Sequence, residues 1–87
     1  MKDSEIVELY QNRNESAIAE TAKKYESYLS KIAHNILADF EDSKECVNEA
    51  YLAAWNSIPP QNPSVLSTYL GKIVRQIAID RYRKKHT

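Results

Sequence analysis

An all-α fold, a compact bundle of four helices, is predicted by three observations. The 87 residues include one Gly and three Pro, too few turn-formers for the tight reversals of a sheet. Apolar side chains recur at steps of three and four through most of the chain, which is the helical period. All three prolines fall between residues 59 and 63, marking one break late in the chain. A chain of this length forms one domain, residues 1–87, and buries roughly 60–65% of its unfolded surface.

The first helix is expected over Ser4–Gln11, capped by Asp3 or Ser4, with Ile6, Leu9 and Tyr10 on its inner side. Asn12, Arg13 and Asn14 break it. The second is expected over Glu15–Ala38, its inner face made by Ile18, Ala22, Tyr25, Leu29, Ile32, Ala33, Ile36 and Leu37. Asp42 and Glu45 stand three apart, the spacing of a capping box with Asp in place of Ser or Thr. They predict a third helix over Ser43–Ser57, burying Val47, Ala50, Tyr51, Ala54 and Trp55. Pro59, Pro60 and Pro63 then impose an extended connection, because proline lacks a donor and restricts its predecessor. With Asn62 as cap and Pro63 at the first helical position, the chain restarts as a fourth helix over Ser64–Lys84. Its inner face is Leu66, Tyr69, Leu70, Ile73, Val74 and Ile77.

Net charge is zero, but the charge is not evenly spread. Gly71 to Thr87 hold six basic residues (Lys72, Arg75, Arg81, Arg83, Lys84, Lys85) against one acid, Asp80, whereas residues 1–70 hold six basic and eleven acidic ones. A basic end on an acidic body points either to a polyanionic partner, nucleic acid foremost, or to a solvated tail. With the apolar stripe of the fourth helix buried, Lys72, Arg75, Gln76, Ile79, Arg83 and Lys84 turn outward. Cations there can neutralise phosphates, and a glutamine can pair with an adenine edge. Arg83 to Lys85 also suit the negative end of a helix dipole, but Lys72 and Arg75 lie mid-helix, where the dipole does not call for them. Tyr69 reads first as a core aromatic with a surface hydroxyl and second as a platform for an unpaired base. Asp80 is placed to pair with Lys84 four residues on.

The outer side of the third helix carries Glu45, Asn48, Glu49, Leu52 and Asn56 along one stripe. An apolar centre with a polar rim is the anatomy of a protein contact; an ordinary solvated face with one stray Leu is the alternative. His34 and His86 lack partners at metal-ligand spacing, and Cys46 has no nearby His, so neither a metal site nor thiol catalysis is expected. Cys46 reads as a small buried hydrophobe in a chain that fits a reducing compartment. No cofactor is indicated, and no reaction is catalysed on this reading. The chain has no apolar run of the ~20 residues needed to span a bilayer and no signal-peptide core. A cytoplasmic protein is expected.

Two strings carry a resemblance to a known family. Glu45 to Trp55 (ECVNEAYLAAW) resembles the D-x-V-Q-E-x-F-x-x-A-W signature of region 2.2 in sigma-70-type RNA polymerase sigma factors, above all the small extracytoplasmic-function group. Ser67 to Arg83 (STYLGKIVRQIAIDRYR) resembles regions 2.3 and 2.4, where W-L-x-x-I-A-R-N-x-A-x-D-x-x-R is usual. The two stand in order and in register with the upstream helical hairpin, so the resemblance covers nearly the whole chain.

The resemblance implies a domain that binds core RNA polymerase and the promoter −10 element. Glu45, Asn48, Glu49 and Leu52, with Asn56 extending their stripe, would dock on the clamp helices of the β′ subunit. Tyr69, Lys72, Arg75, Gln76 and Arg83 occupy the positions that meet −10 DNA, chiefly the unpaired non-template strand. The segment before the fourth helix, including Ile58, Pro60, Asn62 and Ser64, would border a pocket for a flipped-out base. Holding bases outside the stack shifts the duplex toward its melted form without covalent chemistry. An anti-sigma factor covering the Glu49 or Arg75 surface would be ordinary for such a protein.

The chain departs from the family pattern at several places. Glu45 and Asn48 replace the usual Asp and Gln, and Gln76 stands where the small factors often have Asn, so a promoter sequence does not carry over. Lys72 and Ile73 replace the paired tryptophans of primary sigma factors, which implies a less aromatic route to melting. No region 4, the module for the −35 element, follows; a shortened form of a longer factor or a natural single-domain form is expected. Two rival readings rest on the same helices. One is an interaction module or decoy that occupies polymerase without DNA, which the Lys72 and Arg75 stripe argues against. The other is a membrane-surface amphipath, which would need the apolar face that the core requires.

Overall fold

The computed structural model describes residues 1–86 as four helices in sequence: α1 (Asp3–Gln11), α2 (Ser16–Leu37), α3 (Phe40–Ser57) and α4 (Leu66–Lys85). Helix α2 is the spine. Its 22 residues span about 33 Å, and α3 and α4 pack on it and on each other while α1 lies against one end. The Cα radius of gyration is 12.8 Å, close to the roughly 12 Å expected of a compact domain this size.

The core is built from the positions the helical period selects. Ile6, Val7 and Tyr10 enter from α1, Leu29 and Ala33 from α2, Cys46, Val47, Ala50, Tyr51 and Ala54 from α3, and Leu66, Leu70, Val74 and Ala78 from α4. Cys46 is a buried hydrophobe, and burial pushes its thiol pKa above the ordinary value. Of the aromatic and aliphatic side chains expected inside, Leu9, Ile18, Ala22, Tyr25, Ile32, Ile36, Leu37, Trp55, Tyr69, Ile73 and Ile77 are only half-buried and form the rim.

One buried polar side chain escapes the apolar pattern. Thr21 is wholly buried and its hydroxyl donates to the Ala17 carbonyl at 2.8 Å. That uses its only hydrogen, so the Tyr10 hydroxyl, 2.7 Å away, must donate to Thr21. The pair fastens α1 to α2 inside the core, and Tyr25 Oη with Lys24 Nζ fastens the same helices outside it through the Asp3 carboxylate, at 2.5 and 2.6 Å.

Helix α1 begins at Asp3, with Lys2 and not Asp3 or Ser4 at the cap position, and two later helix starts differ more from expectation. Helix α3 begins at Phe40, one turn before the predicted Ser43, because Asp39 and not Asp42 is the cap: its Oδ1 accepts the Asp42 backbone N–H at 2.9 Å. Ala38 adopts a left-handed φ of 52° and ends α2, which lets the chain reverse through two residues. Helix α4 begins at Leu66, not Ser64, with Val65 as its cap residue and no side-chain cap. Asn62 does not cap it; the Asn62 Oδ1 accepts from Gln11 Nε2 of α1 at 3.3 Å. Between α3 and α4 the Ile58–Pro59 and Pro59–Pro60 bonds are cis.

Candidate functional site

The fourth helix sorts its cations onto two sides. Lys72, Arg75, Gln76 and Arg83 are exposed along one stripe facing away from the core. Lys72, Arg75 and Arg83 make no ion pair among the described residues. Ile79 shares that stripe but is half-buried. Gln76 donates through Nε2 to Asp80 Oδ1 at 3.0 Å, so its amide must leave that carboxylate before it can read a base edge. Lys84 is exposed but lies round toward α3, where it lines a cavity of about 400 Å³ with Glu49, Ile77, Asp80 and Arg81.

Arg81 and Lys85 point to the opposite side. Arg81 Nη1 donates to Glu45 Oε2 and Nη2 to Glu49 Oε1, each at 2.7 Å, with Asp42 Oδ1 3.6 Å away. Lys85 pairs with the other oxygen of Asp42. That hydrogen bond, chiefly, holds the Asp42 carboxyl below its ordinary pKa and the Lys85 ammonium above its own. A third of the basic residues in the last segment therefore serve the α3–α4 seam and are not spare cations for a partner. Helical geometry held the signal: Arg81 is nine residues from Lys72, about half a turn round the helix, and so faces the packed side.

Along α3, Glu45, Asn48, Glu49, Leu52 and Asn56 are all exposed on one stripe, as expected. Leu52 is 56% exposed at its centre. Glu45 and Glu49 are not loose; Arg81 orders both and offsets part of their charge.

Before α4, the anticipated base-pocket residues separate. Ile58 is 0% exposed and belongs to the core, so its side chain does not border an open pocket. Pro60, Asn62 and Ser64 are exposed. A shallow cavity of about 280 Å³ opens between this loop and α4, lined by Pro63, Ser64, Val65, Thr68, Tyr69 and Lys72. Ser64, Tyr69 and Lys72 are thus brought together, Pro60 and Asn62 lie outside this lining, and Val65 and Thr68 join it without having been anticipated. Tyr69 combines both readings of its ring. It is half-buried, its hydroxyl is fixed 2.5 Å from the Ser57 hydroxyl, and it still borders the cavity. Among the described residues no group of three or more His, Cys, Asp or Glu could hold a metal ion, and no helix is long and apolar enough to cross a membrane.

Residues 21–87 match the sigma-70 region 2 family profile. No curated protein and no solved structure matches the chain.

Proposed function

The chain belongs to the sigma-70 region 2 family, and from that premise we propose that it binds core RNA polymerase through α3 and promoter −10 DNA through α4. One observation supports this division most directly. The exposed Leu52 sits among Glu45, Asn48, Glu49 and Asn56 on α3, while Lys72, Arg75 and Arg83, without ion pairs among the described residues, line a separate face of α4. An apolar spot in an acidic and amide rim suits a basic protein surface, here the β′ clamp helices. Unpaired cations beside a half-buried tyrosine suit a single strand with its bases turned out, above all the non-template strand.

On this reading residues 1–87 form a region 2 domain, non-catalytic and cytoplasmic. The strings Glu45–Trp55 and Ser67–Arg83 favour the extracytoplasmic-function type. Tyr69, Ser64 and Lys72 flank the cavity that would take a flipped base, and Arg75, Gln76, Ile79 and Arg83 extend the DNA track. Lys84, on the α3 side, borders both faces. The family resemblance makes an anti-sigma factor over the Glu49 or Arg75 surface an ordinary regulator.

Titration of the labelled domain against bacterial core polymerase tests the proposal. Wild type should bind saturably and an Asn48→Arg/Leu52→Arg variant should not; that variant spares the carboxylates held by Arg81. Glu45→Lys/Glu49→Lys should fail likewise. Equal binding by all three proteins would place the interface elsewhere. No binding by a folded wild type would sink the sigma reading and leave a stand-alone nucleic-acid or adaptor role.

A further inference from the structure

The turn between α1 and α2 contains an unexpected side chain. Arg13 has φ 54°, a left-handed conformation that disfavours any residue with a Cβ. It is held there by what its side chain does. Arg13 Nη1 donates to the Trp55 carbonyl at 2.7 Å and to the Ile58 carbonyl at 2.8 Å, both acceptors left over at the C-terminal end of α3. The guanidinium also lies 3.7 Å from the centroid of the Trp55 ring, a cation–π contact. A strained residue held by several convergent contacts is a reason to look for a task.

A second residue acts on the same segment. Gln11 Nε2, at the end of α1, donates to the Gln61 carbonyl at 3.1 Å and to Asn62 Oδ1 at 3.3 Å. Asp3, Ser4 and Val7 of α1 border a further cavity of about 270 Å³ with Asn62, Pro63, Ser64 and Leu66. The 58–65 segment is thus tied at both ends of its first half by side chains 45 to 51 positions earlier in the chain. Its far half, Pro63 to Val65, forms one wall of the cavity shared with Thr68, Tyr69 and Lys72. Arg13 and Gln11 lie outside the residues matched to the family profile, whereas the segment they hold lies within them.

We propose that Arg13, assisted by Gln11, is a positioning residue for the base-capturing wall: it fixes the 58–65 segment so that the cavity beside Tyr69 is formed before DNA arrives. The proposal rests on the reading of α4 and its preceding loop as the −10 interface. Neither residue touches the base. Pre-formation favours capture because the loop no longer loses conformational freedom on binding, and its loss affects the base in that cavity without weakening phosphate contacts along α4.

The test is an abasic scan. The domain is bound to core polymerase, and a random pool of single-stranded 12-mers is enriched on that complex to give a tight-binding oligonucleotide. Each nucleotide of it is then replaced in turn by an abasic site. Wild type should show at least one position where removing the base costs about tenfold or more in affinity, the scale of a stacked base. Arg13→Gly is the informative variant, because glycine takes the φ of 54° without strain and keeps the turn while deleting the clamp. It should reduce the penalty at that position to under about twofold, leave the other positions and core affinity unchanged, and leave the salt slope of DNA binding as in wild type. Gln11→Ala should do the same more weakly, and Arg13→Lys should restore part of the penalty.

An unchanged scan in Arg13→Gly overturns the positioning role. So does a uniform loss at every position or a loss of core binding, either of which would make the clamp a general prop of the fold. A wild type that binds core but shows no base-sensitive position refutes the capture pocket alone, and with it the proposal. A wild type that binds no core refutes the sigma reading on which both depend.

Discussion

Arg81 Nη2 lies 2.7 Å from Glu49 Oε1, joining the helix proposed to track DNA to the face proposed to meet polymerase. The same guanidinium holds Glu45, and its side chain is 23% exposed while Glu49 is about half exposed. Such a pair lies between a solvated ion pair and a buried one, so its contribution to stability is modest. Its larger effect is geometric, since it orders two long carboxylates that would otherwise sample many rotamers.

Arg81→Ala should therefore lower stability by up to about 1 kcal/mol, or roughly 4–8 °C in Tm for a domain this size. A double-mutant cycle with Glu49→Ala, read by urea melts, should give a coupling of about 0.5 kcal/mol at low salt that fades near 1 M. A coupling that persists at high salt would mean that the pair is held by packing and not by charge.

Acid should unfasten α1. Burial raises the Asp3 pKa, but hydrogen bonds from Lys24 and Tyr25 outweigh it and leave the carboxyl below its ordinary 3.8. The same contact, after burial itself, helps push the Tyr25 phenol up to about 12. A carboxyl depressed in the folded state contributes stability above its unfolded pKa and loses it as pH falls through the folded value. Thermal melts should thus hold steady from neutral pH to about pH 4 and fall below it, with Asp42 adding to the slope through its bond to Lys85. Asp3→Asn should start less stable and fall less steeply; a parallel decline would show that Asp3 contributes nothing to the acid limb.

Tyr51 is 7% exposed, and its hydroxyl is buried without a hydrogen-bond partner among the described residues. Burial is the main reason its pKa is pushed up to about 12, with the nearby Glu26 adding to it. An unsatisfied buried polar group costs about 1–3 kcal/mol, so Tyr51→Phe should raise stability, by about 1 kcal/mol in chemical denaturation. A loss of that size would reveal a partner for the hydroxyl.

Gly71 marks the close approach of α4 to α2. A Cβ there would stand 3.1 Å from the Tyr28 hydroxyl and 3.6 Å from Ile32 Cδ1. Tyr28 is 45% exposed, so its outer end can shift by a few tenths of an ångström. Alanine also removes the helix penalty of glycine, up to about 1 kcal/mol. Gly71→Ala should be neutral or stabilising, whereas Gly71→Leu should drive Tyr28 off and lower Tm clearly. Thermal melts of the two variants decide between open and tight packing at this crossing.

Lys72 and Arg75, free of ion pairs among the described residues, should each act as a phosphate contact. Replacing either by Ala should weaken single-strand binding by the polymerase-bound domain at every sequence tested. It should also reduce the slope of log K against log salt by about 0.7. Arg81→Ala should leave that slope nearly unchanged, because Arg81 is occupied by α3. Equal slopes for all three variants would reject the sorting of cations into two faces.

The four helices were legible in the sequence because the period of apolar residues is a local property: Ile6, Leu29, Val47, Leu66 and Val74 lie inside for the reason their spacing announced. The exposed stripe from Glu45 to Asn56 followed from the same period, and the two strings carried the family. Helix starts were harder. Asp39 and Asp42 are both chemically able to cap α3, and the choice fell to Asp39 in a fold where Asp42 instead faces Lys85 and Arg81 from α4. Asn62 had the right chemistry to cap α4 but is engaged by Gln11. Nor could local reading show Ile58 as core, Arg13 as a clamp, or which carboxylates Arg81 would meet on the packed side. The sequence by itself determined which face of each helix is apolar; only the tertiary structure decided which polar groups meet, because hydrogen bonds and ion pairs form through space between residues dozens of positions apart.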